Sequence, residues 1–318
     1  MVHSGATINM IRFLFFVLLY TQQFLQIESR DKWNYKDQDN WKNNKEWAKC
    51  GYDEQSPINI NENALVPAKF EPFKFEGYEN HACNMTLTHT GHSIKISTCH
   101  DHIISGGGLN GKFKLDHVHF HWGTKENPQG EHILNSGNTI RKFKGEMHFV
   151  HHHLDKKSVN DAASEHNGLA VLGVFIEVNK EKSAVFDKID EQIGKLLYEE
   201  KTVDIPEFPF INLFPEDRNK VIRYQGSLTV PPCHETVTWT LFTEPVYISQ
   251  EQLEHLYTMY DGKDNSNGLL LNNYRKTQPL NGRTTYLADL NLNPNSGQQN
   301  HYALVIISIL NLLMLLIL

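Results

Sequence analysis

His119-Phe120-His121-Trp122-Gly123 and, further along, Glu146-Met147-His148-Phe149-Val150-His151 are the stretches that decide how this chain is read. Polar and apolar residues alternate in both. A β-strand sends successive side chains to opposite faces, so His119 and His121 share one face. His148, on a neighbouring strand, completes a three-histidine face. Three neutral imidazoles with one position left open are how proteins hold catalytic rather than structural zinc. Spacing alone leaves other sets open. His117 shares the face of His119 and His121, and His151 and His153 compete with His148. Glu146 shares a face with His148, where a carboxylate can accept the second N–H of a ligating imidazole.

The pattern extends outward. Short alternating segments recur at Thr86–Thr88, Ser93–Ile96, Lys112–Trp122 and Thr236–Phe242. Leu169–Val178 is nearly continuously apolar, as a strand covered on both sides should be. Turns are marked by Gly106-Gly107-Gly108, Asn127-Pro128, Gly137-Asn138 and Pro231-Pro232. Helices are few: Ala184–Tyr198 has apolar residues at helical spacing, and Ser249 with Gln252 forms a capping-box pattern. No linker or repeat interrupts Trp33–Tyr286. These features predict one mainly β domain with a few surface helices and long loops.

A chain of 318 residues can bury a sizeable core. Its net charge of −7, with no basic tract, argues against nucleic acid as a partner. The absence of a His-Glu-x-x-His segment argues against the helical zinc-protease type. The ends are distinctive. Residues 1–30 hold Arg12 followed by the apolar run Phe13–Tyr20, the pattern of a secretory signal cleaved before Asp31. Residues 291–318 run from small and polar Asn295-Ser296-Gly297 into the apolar stretch Tyr302–Leu318, with no Lys or Arg after it. This resembles a glycosylphosphatidylinositol attachment signal; the alternative is a retained single span. The expected location is the extracellular face of the plasma membrane, with a secreted form as the variant. Four cysteines suit an oxidising compartment. A hairpin turning at Gly91 would bring Cys83 and Cys99 face to face, leaving Cys50 and Cys233. Asn84-Met85-Thr86 is an N-glycosylation sequon, the one such sequence found.

Read in order, Trp33 and Tyr35, Gln55-Ser56-Pro57-Ile58-Asn59-Ile60, the His-Phe-His-Trp-Gly run, Gly130-Glu131-His132, Glu146-Met147-His148, Gly226-Ser227-Leu228-Thr229 with Pro231-Pro232, and Asn273-Tyr274-Arg275 resemble an α-class carbonic anhydrase. The match is to the secreted and membrane-anchored subgroup and spans about residues 33–286, within a domain taken as 31–290. The resemblance implies a large twisted, mostly antiparallel sheet. It also implies reversible hydration of carbon dioxide to bicarbonate and a proton, by zinc-hydroxide attack.

Residue by residue, it implies that His119, His121 and His148 ligate Zn2+, with Glu146, His117 and Asn273 supporting them. Thr229 is the gatekeeper hydroxyl, Glu131 the carboxylate that accepts from it, and His92 the proton shuttle. Val150, Val171, Leu228, Val237 and Trp239 form the apolar wall for carbon dioxide. Cys50 and Cys233 match the disulfide of secreted members. His117, Val230, Lys95 and Thr90 depart from the family pattern, and residues 135–139 lengthen a loop. The competing reading is a catalytically weak extracellular binding or adhesion domain of the same fold. Expected partners are the small-molecule substrate and, through the anchor, the membrane; no bicarbonate transporter is legible in the sequence.

Overall fold

The structure is a computed structural model that describes residues 33–81 and 83–290. The signal and anchor segments expected at 1–30 and 291–318 lie outside these residues. The chain divides into two compact units, 1–38 and 39–318. Of the first, residues 33–38 are described, where the Trp33 and Tyr35 rings meet edge-on with centroids 5.2 Å apart. The second holds everything below.

Its strands are β1 (Asn59–Asn61), β2 (Val66–Lys69), β3 (Lys74–Glu76), β4 (Thr86–His89), β5 (Ile94–Ser97), β6 (Ile103–Ser105), β7 (Phe113–Trp122) and β8 (Ile133–Ser136). They continue as β9 (Thr139–Lys142), β10 (Gly145–His153), β11 (Leu169–Asn179), β12 (Thr202–Asp204), β13 (Lys220–Gly226), β14 (Val237–Ser249) and β15 (Tyr286–Asp289). Twelve form one sheet whose main path is β12-β4-β5-β7-β10-β11-β14-β13-β15-β2. Most pairs are antiparallel, as expected, but β11 with β14 and β15 with β2 run parallel. β1, β8 and β9 make a small second sheet.

The central strands sort their side chains by parity. On β10, Glu146, His148 and Val150 face one way, and Met147 and Phe149 the other. The first face joins a buried cluster with Val171, Val237 and Trp239. The second joins the larger core, with Phe120, Trp122, Leu172, Val174 and the helix Ala184–Ile193. Burial on both faces explains the unbroken apolar run of β11.

Along β7 the apolar alternation changes phase between Leu115 and Val118. The ladder gives the reason: Val150 pairs with His117 but His151 with Leu115, so Asp116 is an extra, bulged residue. The bulge keeps Phe113, Leu115, Val118 and Phe120 in one core. It also sets Asp116 beside His117.

Three expectations are corrected in detail. The helix begun at Ala184 ends at Ile193, with Gly194 at its C-cap, so Leu196 is buried without being helical. The strand expected to end at Phe242 runs on to Ser249, passing Pro245 through an irregularity in its pairing with β11. Both disulfides form, Cys50–Cys233 and Cys83–Cys99, but the second is not a directly opposed ladder pair. The β4–β5 register sets Thr86 opposite Ser97 and, continued, would set Cys99 opposite Asn84. Asn84, at φ 45°, breaks the ladder, and the Cys99 N–H donates to the Cys83 carbonyl at 3.3 Å. The capping box at Ser249 and Gln252 is present at the start of helix Gln250–Leu256.

Candidate active site

Strand register assembles the histidines. On β7 and β10, His119 lies directly opposite His148, and His121 opposite Glu146. Their ring centroids are 4.9 Å apart for His119 and His121, 5.1 Å for His119 and His148, and 4.5 Å for His121 and His148. One nitrogen from each ring lies within 4.8 Å of the others.

Each ring's second nitrogen is committed elsewhere, which fixes which nitrogen faces inward. His121 Nδ1 donates to the Asn273 carbonyl at 2.7 Å, leaving Nε2 buried and without a protein partner. His148 Nε2 donates to Glu146 Oε1 at 2.8 Å, leaving Nδ1. His119 Nδ1 is 2.9 Å from His117 Nε2, and His117 Nδ1 is 2.6 Å from Asp116 Oδ2. A carboxylate at the end of that pair makes His117 the acceptor, so His119 keeps its Nε2 lone pair. Burial keeps all three rings neutral. It lowers the pKa of His119 well below the ordinary histidine value, lowers that of His148, and pushes His121 down to about 3, with the neighbouring imidazoles adding to the effect. Neutral imidazole is the ligating form, and an orphaned buried nitrogen is what a metal ion satisfies.

The rival sets fall away. His151 points into the core, bonded to the Tyr78 hydroxyl at 2.5 Å and the Ala170 carbonyl at 3.1 Å. His153 pairs with Asp155 at 2.6 Å. His132, Glu146 and His148 also cluster, but there the carboxylate already accepts from both rings. Near His100, the cysteine sulfurs are consumed by the disulfide.

Behind the three histidines runs a hydrogen-bonded chain that sequence reasoning did not find. Glu146 Oε2 accepts the backbone N–H groups of Glu131 and His132 at 2.9 and 2.8 Å. Its Oε1 accepts from His132 Nδ1 at 2.7 Å. His132 Nε2 meets the Tyr224 hydroxyl at 2.6 Å, and that hydroxyl donates to Ser56 Oγ at 2.8 Å. Ser56 Oγ also accepts the Ser227 N–H at 3.0 Å. The chain thus reaches from His148 to the loop bearing Leu228 and Thr229. Gly226 is required here, since a Cβ would fall 2.2 Å from Ser56 Oγ. His132 and Ser56 stood inside quoted motifs, but partners 92 and 168 residues away give no local signal. Burial alone would raise the Glu146 pKa; the pull of His132 and His148 outweighs it and holds the carboxyl well below the usual range.

Thr229 and Glu131 are both buried. Glu131 Oε1 accepts the Arg275 N–H at 2.8 Å. Its Oε2 lies 3.9 Å from His148 Nδ1 and has no well-aligned hydrogen-bond partner. The Thr229 hydroxyl is near enough to favour the charged carboxylate, though not aligned on Oε2. Burial and the Glu146 charge dominate and raise the Glu131 pKa well above the usual value. A divalent cation among the imidazoles would oppose that rise.

The apolar residues named for the wall gather beside the histidines. Val150 pairs with Val171, and Val171 with Trp239, on the face that carries His148. The Trp239 ring is 4.8 Å from that of His148, and its N–H donates to the Ser227 carbonyl at 2.9 Å. Val237 is buried and Leu228 half-buried in the same cluster.

His92 is half-buried in the turn between β4 and β5. Asn273 is the node that ties this turn to the ligands. Its Nδ2 donates to the His92 carbonyl at 3.0 Å and the Phe120 carbonyl at 3.1 Å, its Oδ1 accepts the Trp122 N–H at 2.6 Å, and its carbonyl holds His121. The Thr90 hydroxyl is engaged within the turn, donating to the Ser93 carbonyl at 3.0 Å.

A family model of eukaryotic-type carbonic anhydrases matches residues 36–288. The chain belongs to that family. It is 36% identical over 264 residues to carbonic anhydrase 12 of Homo sapiens, an alignment covering 80% of this chain and 72% of that protein. It is 33% identical over 261 residues to carbonic anhydrase 7 of Mus musculus, covering 79% and 95%. With putative carbonic anhydrase 3 of Caenorhabditis elegans the identity is 34% over 256 residues, covering 79% and 95%. Carbonic anhydrases as a family are zinc-dependent and act on carbon dioxide and bicarbonate. The triple-histidine group and two disulfides of this member fit that membership.

Proposed function

We propose that this carbonic anhydrase is a catalytically competent, zinc-dependent enzyme that hydrates carbon dioxide reversibly. One observation carries the reading: three neutral imidazoles whose outer nitrogens are already bonded bring their remaining nitrogens within 4.8 Å of one another. His119 Nε2, His121 Nε2 and His148 Nδ1 would hold the ion. Zinc there would act as a Lewis acid and lower the pKa of water to about 7, supplying a nucleophile at neutral pH.

The chain's own residues do the rest. Thr229, with its hydroxyl turned to donate to Glu131, would keep its oxygen lone pairs for the proton of the attacking solvent and so aim that solvent's free lone pair. Val150, Val171, Leu228, Val237 and Trp239 offer an uncharged substrate an uncharged wall. Water's oxygen bonds to the carbon, bicarbonate leaves, and one proton goes to His92 and then to buffer. His117 and Asp116 fix the His119 tautomer, so histidine at this position serves as support rather than as a competing ligand.

Three further readings concern location, anchoring and glycosylation. Two disulfides suit an extracellular site. Among the described residues no helix is long and apolar enough to cross a membrane. Attachment through a C-terminal lipid at 291–318, after a signal at 1–30 and a domain over 31–290, rests on the sequence patterns. Asn84 is exposed, as a glycosylated asparagine must be.

The test is metal content and carbon dioxide hydration of the purified protein, with and without chelator, repeated for His121→Ala. One zinc per chain, activity lost on chelation, and both lost in the variant are expected. A folded protein that binds zinc but does not hydrate carbon dioxide would favour the binding-domain reading instead.

A further inference from the structure

On the sheet face opposite the three histidines lies a cavity of about 310 Å³. It is bounded by β2, β13, β14 and β15 and by the loop at Gly108–Asn110. Parity places it there: Tyr224 and Trp239 point to the metal side, so Arg223 and Thr238 point away. Its volume is at the lower end of small-molecule sites.

Arg223 lines this cavity and is only 6% exposed. Its Nε donates to Thr240 Oγ1 at 3.0 Å, and Nη2 to the Gly107 carbonyl at 2.6 Å. Nη1 reaches the Gly108 carbonyl only at 3.5 Å. Those bonds use three of the five guanidinium N–H groups. Among the described residues no carboxylate is within ion-pair distance of it, and Glu71 acts on it only through space. A buried cation without a counter-ion is costly, and neutral carbonyls offset that cost only in part.

The rest of the lining says what would complete it. The Thr238 hydroxyl is shared between Asn167 Oδ1 at 3.4 Å and Gln225 Oε1 at 3.3 Å. Both amide NH2 groups are thereby left as donors. Phe70, over whose ring the guanidinium stacks at 4.9 Å, and Tyr286 give the lining its aromatic wall. A positive charge and amide donors set beside aromatic rings match a flat anion.

We propose that this cavity is a second ligand site, independent of zinc, that binds a small aromatic carboxylate through Arg223. The carboxylate takes the remaining guanidinium N–H groups, and the ring packs on the aromatic wall.

The test uses 4-fluorobenzoate, followed by its 19F resonance, with the zinc-loaded protein, its chelated form, and the variants Arg223→Gln and Ala68→Phe. The second variant adds bulk to the lining while leaving Arg223 in place, and it carries the test should Arg223→Gln not fold. Saturable binding is expected that survives chelation and weakens at least about tenfold in either folded variant, the scale of one charge-assisted hydrogen bond. Carbon dioxide hydration by both variants should remain at the native rate. No saturable binding, or binding lost on chelation yet unchanged in the variants, would overturn the proposal.

Discussion

Glu146 Oε1 accepts hydrogen bonds from two imidazoles at once, His148 at 2.8 Å and His132 at 2.7 Å. The first sets which nitrogen of His148 faces the other two histidines. The second couples that ring, through Tyr224 and Ser56, to the loop carrying Thr229. One buried carboxylate therefore orients the His148 ring and ties it to the loop that carries Thr229.

Glu146→Gln replaces that double acceptor with an amide, whose NH2 group cannot accept. Zinc affinity should fall by about 10–100-fold, as is typical when the hydrogen-bond partner of a ligating histidine is lost. Competition with a chromophoric chelator measures it directly. An unchanged dissociation constant would mean that His148 is oriented by something else.

Thr229→Ala should leave zinc content intact while hydration slows by roughly a hundredfold, the low end for losing a positioned proton acceptor. Thr229→Ser, which retains the hydroxyl, should recover most of the rate. A serine variant as slow as alanine would show that the methyl group, not the oxygen, matters.

His92→Ala should slow turnover in dilute, poorly buffering solution and be rescued by added imidazole. Stopped-flow hydration at several buffer concentrations resolves this. If the variant's rate in dilute buffer equals the native rate, the proton leaves by another route.

Stability should depend on pH through His151, whose pKa burial lowers to about 3 from an ordinary 6.5. Between those values the unfolded chain binds a proton that the folded chain does not. Stability from this residue is therefore complete above pH 6.5 and is lost as pH falls toward 3, by up to about 1.4 kcal/mol per pH unit. Urea unfolding at pH 7 and pH 5 should show a smaller acid loss in His151→Gln than in the native protein. An equal loss in both would assign the effect to other groups.

The sequence alone determined the strand periodicity, the shared face of His119 and His121, the capping box at Ser249, and the ordered motifs that place the chain among carbonic anhydrases. These are local, because a two-residue repeat or a cap is written in neighbouring positions. Tertiary structure decided what the repeat leaves open. It grouped His148, not His151, with His119 and His121, because the ladder sets His148 opposite His119 while His151 turns into the core. It made His117 a supporting acceptor by bulging Asp116 beside it. It joined His132, Tyr224 and Ser56 behind the ligands and left Arg223 facing a cavity. Each outcome depends on which distant segments share a register or a buried hydrogen bond, and a chain read residue by residue carries no record of that.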